Sequence, residues 1–317
     1  ISRIVRGYTY ISRMYEPGDA IHIVGFSRGA YTARALAALI VSQGLLPKDL
    51  AEGAFKNDPK KPKDKEQAYR YGAQAWYRYR EAHPVKKKNW SATFAEVIAN
   101  LPGFLSRNEL ADTDFVKDVL VRSVAVWDTV AAIGIPEIHD DRRFDPFEFA
   151  NPNLSDNVEW GFHAVSLDEE RVDFTPTLWS PREKKQIRQI LFPGAHSDVG
   201  GGYAECGLSN GGLQWMIDQL KTVGVTFVSE ALPASNPGDT AHMPWKGKPY
   251  ITGKREFPEE FTAHATVGER IRAGAVKPDP TEEPEEYDPP NRPTLECTAQ
   301  RCNEAGCDGC GRRAPLP

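Results

Sequence analysis

The segment from residue 20 to residue 41 constrains the fold of this chain most strongly. Ala20–Val24 is apolar except for His22 and favours a short buried strand. Gly25-Phe26-Ser27-Arg28-Gly29 follows directly and matches the pattern G-x-S-x-G, and an alanine-rich stretch that favours a helix runs on to about Val41. A strand, a glycine-flanked turn with a serine, and a helix in direct succession are the setting of a nucleophilic serine above a parallel sheet.

The glycines of this turn have a predicted physical role. With Gly25 and Gly29 as small neighbours, the backbone at Ser27 can adopt a strained conformation that lifts its hydroxyl above the sheet. The N–H of Arg28, at the start of the helix, would then face a developing oxyanion. The alternative is a purely structural turn in which Ser27 caps the helix.

A nucleophilic serine needs a base and an orienting acid, which follow it in the order Asp/Glu and then His in α/β-hydrolases. His196 stands in a glycine-rich loop just past the predicted strand Ile187–Phe192, and is the expected base. Asp128 ends the apolar strand Val119–Trp127, where a charge is otherwise poorly placed, and is the expected acid. The alternatives are a structural histidine and an aspartate that caps a helix.

Two more aspartates belong to the candidate site. Asp198 lies two residues after His196 and is expected to support the loop, and Asp168 is the runner-up acid. A metal-dependent hydrolase built on His196, Asp198 and Asp128 is a separate hypothesis, which a chelator would distinguish. The leading hypothesis, a serine hydrolase, needs no metal and no cofactor.

Strand–helix alternation along the chain predicts an α/β fold with a mainly parallel sheet flanked by helices. We expect a catalytic domain over residues 1–230 and an irregular Pro/Glu-rich and Cys-rich tail over 231–317. Residues 51–115 interrupt the alternation and read as an insertion with predicted helices at 67–81 and 89–104. Its aromatic residues suit either an interfacial lid or a packed helix beside a charged loop (Tyr69, Tyr71, Trp76, Tyr77, Tyr79, Trp90).

Charge and cysteine usage narrow the class of protein. The chain has 39 Lys and Arg against 44 Asp and Glu, a formal charge of −5, so we expect no nucleic-acid partner. No run of 18 apolar residues occurs, and Ile1–Tyr15 lacks the apolar core of a signal peptide. Four of the five cysteines lie in the tail and could bind zinc or belong to an unfolded end (Cys297, Cys302, Cys307, Cys310). Their position excludes a main domain built on disulfides.

Four blocks, in the same order, resemble the α/β-hydrolase domain of bacterial type VI secretion lipase effectors of the first class. They are Gly25–Arg34, Val126–Val130, His163–Glu169 with the nearby Leu178-Trp179, and Phe192–Tyr203. The resemblance implies hydrolysis of lipid esters, typically phospholipids, with Ser27 as nucleophile, Asp128 as acid and His196 as base. It also implies peripheral membrane contact and partners in a secretion apparatus and an immunity protein. The implied location is the bacterial cytoplasm of the producing cell, followed by delivery to a target cell's periplasm.

The chain departs from this family before the serine. Family members begin with a strand carrying a Cys-Asp-Gly-Thr-like block, whereas only the predicted helix Ile1–Tyr15 precedes Ala20 here. We therefore expect a sheet truncated at its N-terminal side, with Ile21–Val24 near an edge and the chain alone poorly soluble or completed by other residues. A missing oxyanion donor costs about 10²–10³ in rate. The alternative function is thus a catalytically impaired fragment that binds lipid or protein, and fluorophosphonate labelling of Ser27 would separate the two.

Overall fold

The computed structural model describes residues 1–83, 110–130, 153–180, 186–228, 231–258 and 261–290, and the backbone of three short strands beyond them. The predicted helix at 89–104 and the side chains of the four tail cysteines lie outside these residues. Among the described helices, none is both long and apolar enough to cross a membrane.

The four longest strands of the described residues lie within the first 222 residues, together with most of the described helices. The first part contains α1 (Ser2–Met14), β1 (Ile21–Phe26), α2 (Arg28–Gln43), α3 (Lys48–Ala51) and α4 (Lys65–Ala82). The second contains β2 (Val121–Trp127), β3 (Val158–Ser166), β4 (Ile187–Phe192), α5 (His196–Gly200) and α6 (Gly207–Thr222). The remaining elements are β5 (Thr262–Ala263), α7 (Ala265–Arg272), β6 (Ala275–Val276), β7 (Glu285–Glu286), β8 (Thr294–Leu295), β9 (Cys302–Asn303) and β10 (Gly306–Cys307).

The main sheet has the strand order β1-β2-β3-β4-β5-β8, and each neighbouring pair is parallel. Helices cover the sheet, as burial of parallel strands requires. The predicted α/β class with a mainly parallel sheet is confirmed. Parallel strands bring their carboxyl ends to one edge of the sheet, where the turns after β1, β2 and β4 carry the candidate site.

Within the described residues, β1 is the edge strand and pairs only with β2. Ile21 and Ile23 are buried, but Ala20 is exposed and Val24 keeps 53% of its surface exposed. The prediction that every apolar residue of Ala20–Val24 is buried is therefore wrong. Successive side chains of a strand point to opposite faces, and in this edge strand the face that carries Val24 is open.

One side of the sheet is covered by α1, α2 and α4. Tyr71, Trp76 and Tyr79 of α4 are buried in the same core cluster as α1 and α2. Gly72 makes this packing possible, because a Cβ there would lie 2.6 Å from the Thr9 side chain. Residues 65–82 thus match the packed-helix alternative, and the lid alternative now depends on residues 84–109, outside the described part.

The segment after residue 230 differs from its prediction as an irregular tail. β5 extends the main sheet beside β4, and Phe261, Ala263 and Val267 form a third core cluster with side chains of β3 and β4. A two-residue strand and an eight-residue helix are too short to produce a periodic pattern. Residues after 230 thus share the sheet and a core cluster with the residues before it.

Candidate active site

Ser27 lies on a strained turn between β1 and α2. Its backbone has φ 59° and ψ −128°, a conformation that costs a non-glycine residue about 1–3 kcal/mol. A Cβ at Gly25 would lie 2.5 Å from the Gly29 carbonyl oxygen and 2.8 Å from Ala30 Cα, so only glycine fits there. A Cβ at Gly29 would meet nothing within 4 Å. The steric reason given for Gly29 is therefore wrong, and this residue lines the cleft instead.

The capping alternative for Ser27 finds no support in its contacts. No side-chain cap is bonded to the first turn of α2, and that turn has no acidic residue. The Arg28 N–H lies in this turn, where the helix carries partial positive charge. An anion next to Ser27 would thus meet backbone N–H groups rather than a capping side chain.

His196 contacts both other members of the expected triad. Its Nε2 lies 2.7 Å from Ser27 Oγ, and its Nδ1 lies 2.6 Å from Asp128 Oδ2. The imidazole is only 4% exposed and packs against the rings of Phe26 and Phe174, with centroids 4.6 Å and 4.9 Å away. The packing fixes the ring between the hydroxyl and the carboxylate.

Asp128 is fully buried at the end of β2. Its Oδ1 accepts the Ser166 N–H at 3.0 Å, and Arg255 donates to Oδ1 from Nη1 at 2.7 Å and to Oδ2 from Nη2 at 2.9 Å. Burial raises the pKa of Asp128, but the Arg255 charge and the hydrogen bond from His196 outweigh it and hold the pKa below its ordinary value. The carboxylate is therefore ionised at neutral pH, and its partners among the described residues are His196, Arg255 and the Ser166 N–H rather than the first turn of a helix.

Sequence reasoning missed Arg255. It lies in the segment taken for a tail, between Lys254 and Glu256, where one more charged residue gives no signal. The side chain is only 6% exposed, and it also donates to the carbonyl oxygens of Ser166, at 2.7 Å, and Phe174.

His163 holds the backbone that follows the acid. Its Nε2 accepts the Thr129 N–H at 3.0 Å, and its Nδ1 lies 3.2 Å from Gln189 Oε1. Burial lowers the pKa of His163 to about 3, so the ring is neutral and can accept at Nε2. The sequence placed this residue inside a resembling block without giving it a role.

Asp198 makes contacts that order the loop around His196. Its Oδ2 accepts the N–H groups of Ala195, at 2.9 Å, and His242, at 3.0 Å, and its Oδ1 lies 2.7 Å from His242 Nδ1. Tyr203 stacks on His242 with centroids 3.6 Å apart. His242 lies beyond the predicted domain boundary, which is why its part in this loop was not foreseen.

Asp168, the runner-up acid, contacts other groups. Its Oδ2 accepts the Gly194 N–H at 2.6 Å, and the Tyr287 hydroxyl lies 2.9 Å from both carboxylate oxygens. None of the described hydrogen bonds joins it to the imidazole of His196. Burial raises the pKa of Asp168 to about 6.

The cleft in front of Ser27 has a volume of about 530 Å³. Phe26, Val130 and Phe174 give it apolar walls, and Arg171 and the acidic Asp173 line it as well. Arg3 and Arg28 add two further positive charges. Neither guanidinium makes a hydrogen bond or an ion pair with the described residues. Among those residues, no group of three or more His, Cys, Asp and Glu side chains is arranged to hold a metal.

Three comparisons relate this chain to known proteins. An uncharacterised protein of Saccharomyces cerevisiae, YEL023C, is 28% identical over 183 residues, which are 57% of this chain and 21% of the yeast protein. A solved structure of the Tle1 effector bound to the VgrG spike from the type 6 secretion system shares 22% identity and a TM-score of 0.27. The match covers 64% of this chain and 30% of that one, so this chain spans less than a third of either relative. The model of the family described as "T6SS, Phospholipase effector Tle1-like, catalytic domain" matches residues 2–219, and the chain belongs to that family.

Proposed function

We propose that this chain hydrolyses carboxylic esters of phospholipids through a triad of Ser27, His196 and Asp128. The observation that carries the proposal is the continuous contact from Ser27 Oγ to His196 Nε2, at 2.7 Å, and from His196 Nδ1 to Asp128, at 2.6 Å. The strained turn that presents Ser27 supports it, because strain of this kind is concentrated at functional sites. The family's description as a phospholipase effector supports the substrate class.

The geometry suits acyl transfer in two steps. His196 takes the Ser27 proton while Oγ attacks the ester carbonyl carbon, and the carbonyl electron pair moves to oxygen. The Arg28 N–H stabilises that oxyanion at the start of α2. When the intermediate collapses, the C–O bond to the lysolipid breaks and the leaving oxygen takes the proton from His196. Water, activated by the same imidazole, then releases the fatty acid and restores Ser27.

Asp128 supports the charged imidazole during each step. It keeps its negative charge because its pKa is held below the ordinary value, so it stabilises the imidazolium without taking a proton from it. Its hydrogen bond to Nδ1 also fixes the tautomer in which Nε2 accepts from Ser27. Both functions require the buried position that the end of β2 provides.

The cleft suits a lipid with an anionic head group. The chain as a whole carries a formal charge of −5, yet Arg3 and Arg28 place two cations beside Ser27. A phosphodiester would lie against these guanidinium groups, and the apolar walls would take the acyl chain. To take such a lipid out of a bilayer, the protein would have to contact the membrane surface.

The biological setting is the part of the proposal that depends on the family alone. The family is one of effectors of the type VI secretion system, which supports delivery from the producing cell into a target cell. The partners we propose are a component of the secretion apparatus and an immunity protein that protects the producing cell.

The proposal is tested with the full chain and phospholipid vesicles. Release of lysophospholipid and fatty acid is followed by mass spectrometry, and Ser27 is labelled with a fluorophosphonate. Ser27→Ala should lower kcat by about 10⁴–10⁶, as expected for a nucleophile that acts with a base. Ser209→Ala is the matched control, since the Ser209 hydroxyl bonds only to the nearby Cys206 carbonyl among the described residues. Hydrolysis that survives in Ser27→Ala, or a wild-type chain that is neither active nor labelled, would overturn the proposal.

A further inference from the structure

Arg255 is a buried cation at the centre of the candidate site, and it comes from a part of the chain beyond the family match, which ends at residue 219. We infer that Arg255 is a positioning residue of the reaction, which aims the Asp128 carboxylate at His196 and compensates its charge. The inference rests on the proposed function. It adds residues 250–255 to the active site.

The guanidinium of Arg255 joins three elements that meet at the edge of the sheet. Its two terminal nitrogens contact both oxygens of Asp128, after β2, at 2.7 Å and 2.9 Å. The same nitrogens donate to the carbonyl oxygen of Ser166, the last residue of β3, and to that of Phe174 in the cleft wall. A planar fork makes these four contacts at once, whereas an ammonium group has no such geometry.

The backbone around Arg255 is tied to that cleft wall. Val172 donates its N–H to the Ile251 carbonyl at 3.0 Å, and Gly253 donates its N–H to the Glu170 carbonyl at 2.8 Å. Thr252 also forms a bridge with Arg171. Residues 251–253 therefore run alongside residues 170–172, which bring the Arg255 side chain to Asp128 from a fixed direction.

The charged groups that bond to the backbone of His196 or share its helix are paired with other side chains, whereas Arg3 and Arg28 lie in the cleft in front of it. Glu169 accepts the His196 N–H at 3.2 Å and is bound in two places by Arg171, at 2.8 Å each. Asp198, on the same helix as His196, is paired with His242. His163, which packs behind Asp128, is neutral because burial lowers its pKa to about 3. Arg255 is thus the main cation that compensates the negative charge of Asp128 beside the imidazole.

The pairing of Arg255 with Asp128 predicts the direction in which the pH dependence of activity changes when Arg255 is replaced. The Arg255 charge helps to hold the pKa of Asp128 below its ordinary value, so without it the carboxylate would be protonated at a higher pH and would no longer orient the ring. A higher pH is then needed before Asp128 is ionised and can support the reaction. The acid limb of kcat/KM should therefore move to higher pH by roughly one unit, the size of shift that a neighbouring charge produces.

The experiment compares Arg255→Lys and Arg255→Met with the wild-type chain, using ester turnover and the rate of Ser27 labelling across pH. Loss of the fork should lower kcat about 10²-fold in Arg255→Lys, with little change in KM, because misplacing a reacting group by about 1 Å has that effect. Arg270→Lys is the matched control. Arg270 is 1% exposed, belongs to the same segment and donates to the carbonyl oxygens of Pro237, Asp239 and Lys277. It should change the melting temperature without moving the acid limb.

A double-mutant cycle with Asp128→Asn tests the inference even if an Arg255 variant is less stable than the wild-type chain. If Arg255 acts through Asp128, Arg255→Lys should have little further effect on the activity of the Asp128→Asn chain. Equal effects in both backgrounds, or an acid limb that stays in place in Arg255→Met, which removes the charge, would overturn the inference and leave the proposed function intact. A wild-type chain without Ser27-dependent activity would overturn both.

Discussion

The backbone N–H of Ser27 donates to the carbonyl oxygen of Trp127 at 3.0 Å, in continuation of the pairing of Phe26 with Trp127 between β1 and β2. This hydrogen bond lies directly after the last paired position of these two parallel strands. The residues that leave the sheet there are Ser27 on one strand and Asp128 on the next. The distance between Ser27 and Asp128 is thus set by strand register, and the His196 side chain lies between them.

Asp128→Asn should lower kcat by about 10⁴, because the asparagine amide favours the wrong tautomer of His196. The substitution also leaves the buried Arg255 cation without its anion, which costs about 3–5 kcal/mol of unfolding free energy. Turnover and thermal melting are measured together on the full chain. Asp218→Asn is the control, since that carboxylate is 65% exposed on α6. Activity within tenfold of the wild type would contradict the role of Asp128.

Asp168 should make the fold less stable as pH rises through the weakly acidic range. Burial raises its folded pKa to about 6, above the unfolded value of about 3.9, so its stabilising contribution is complete below pH 4 and is lost as pH rises through 6. The loss is about 1–3 kcal/mol. Asp168→Asn can keep the contacts with Gly194 and Tyr287 without a charge.

The measurement is the difference in melting temperature between Asp168→Asn and the wild-type chain from pH 4 to pH 7. We expect the melting temperature of Asp168→Asn to rise relative to that of the wild-type chain as pH increases. A difference that is constant over this range would show that Asp168 does not titrate there.

The double substitution Arg3→Gln and Arg28→Gln should weaken hydrolysis of an anionic phospholipid without affecting that of a neutral ester. Both guanidinium groups line the cleft at Ser27, and the change leaves the Arg28 backbone N–H in place. We expect KM for short-chain phosphatidylglycerol to rise about tenfold, the size of effect of losing a hydrogen bond to a charged group. Turnover of the neutral p-nitrophenyl butyrate should stay the same. An equal loss with both substrates would indicate a general effect on the site rather than recognition of the phosphate.

A chain that ends at residue 230 should lose Ser27 labelling and the cooperative melt of the full chain. The truncation removes β5, and with it the packing of Phe261 and Val267 against Val165 and Leu191. Loss of one such large apolar side chain costs about 3–5 kcal/mol. A chain that ends at residue 290 is the matched control and should keep both properties. Full-rate labelling of the shorter chain would show that the segment after residue 230 is dispensable.

The three residues of the candidate triad could be predicted from the sequence because each follows an apolar strand of six residues or so. Parallel strands bring such positions to one edge of the sheet, so the pattern predicts proximity as well as type. Asp128 and His196 lie at those positions in the structure. The G-x-S-x-G pattern was also informative, because its serine directly follows a strand. Only Gly25 of its two glycines is required by close packing.

Arg255, His242 and Tyr287 could not be predicted in this way. They belong to a segment whose strands have two residues each, and its polar composition is typical of a tail. Their contacts with Asp128, Asp198 and Asp168 depend on how this segment packs across the end of the sheet. A single sequence carries no local signal for such long-range pairings, since any charged or aromatic residue would look the same.

Asp128 and Arg255 are 127 positions apart in the chain, and Ser27 and His196 are 169 positions apart. These separations have a consequence for the order of events during synthesis. Ser27 leaves the ribosome well before His196 and Arg255, whose contacts complete the candidate site. Loop closures over such distances are slow steps of folding. Until those closures occur, the nascent chain carries a serine without its partners, and the proposed esterase activity should emerge only with the last of them.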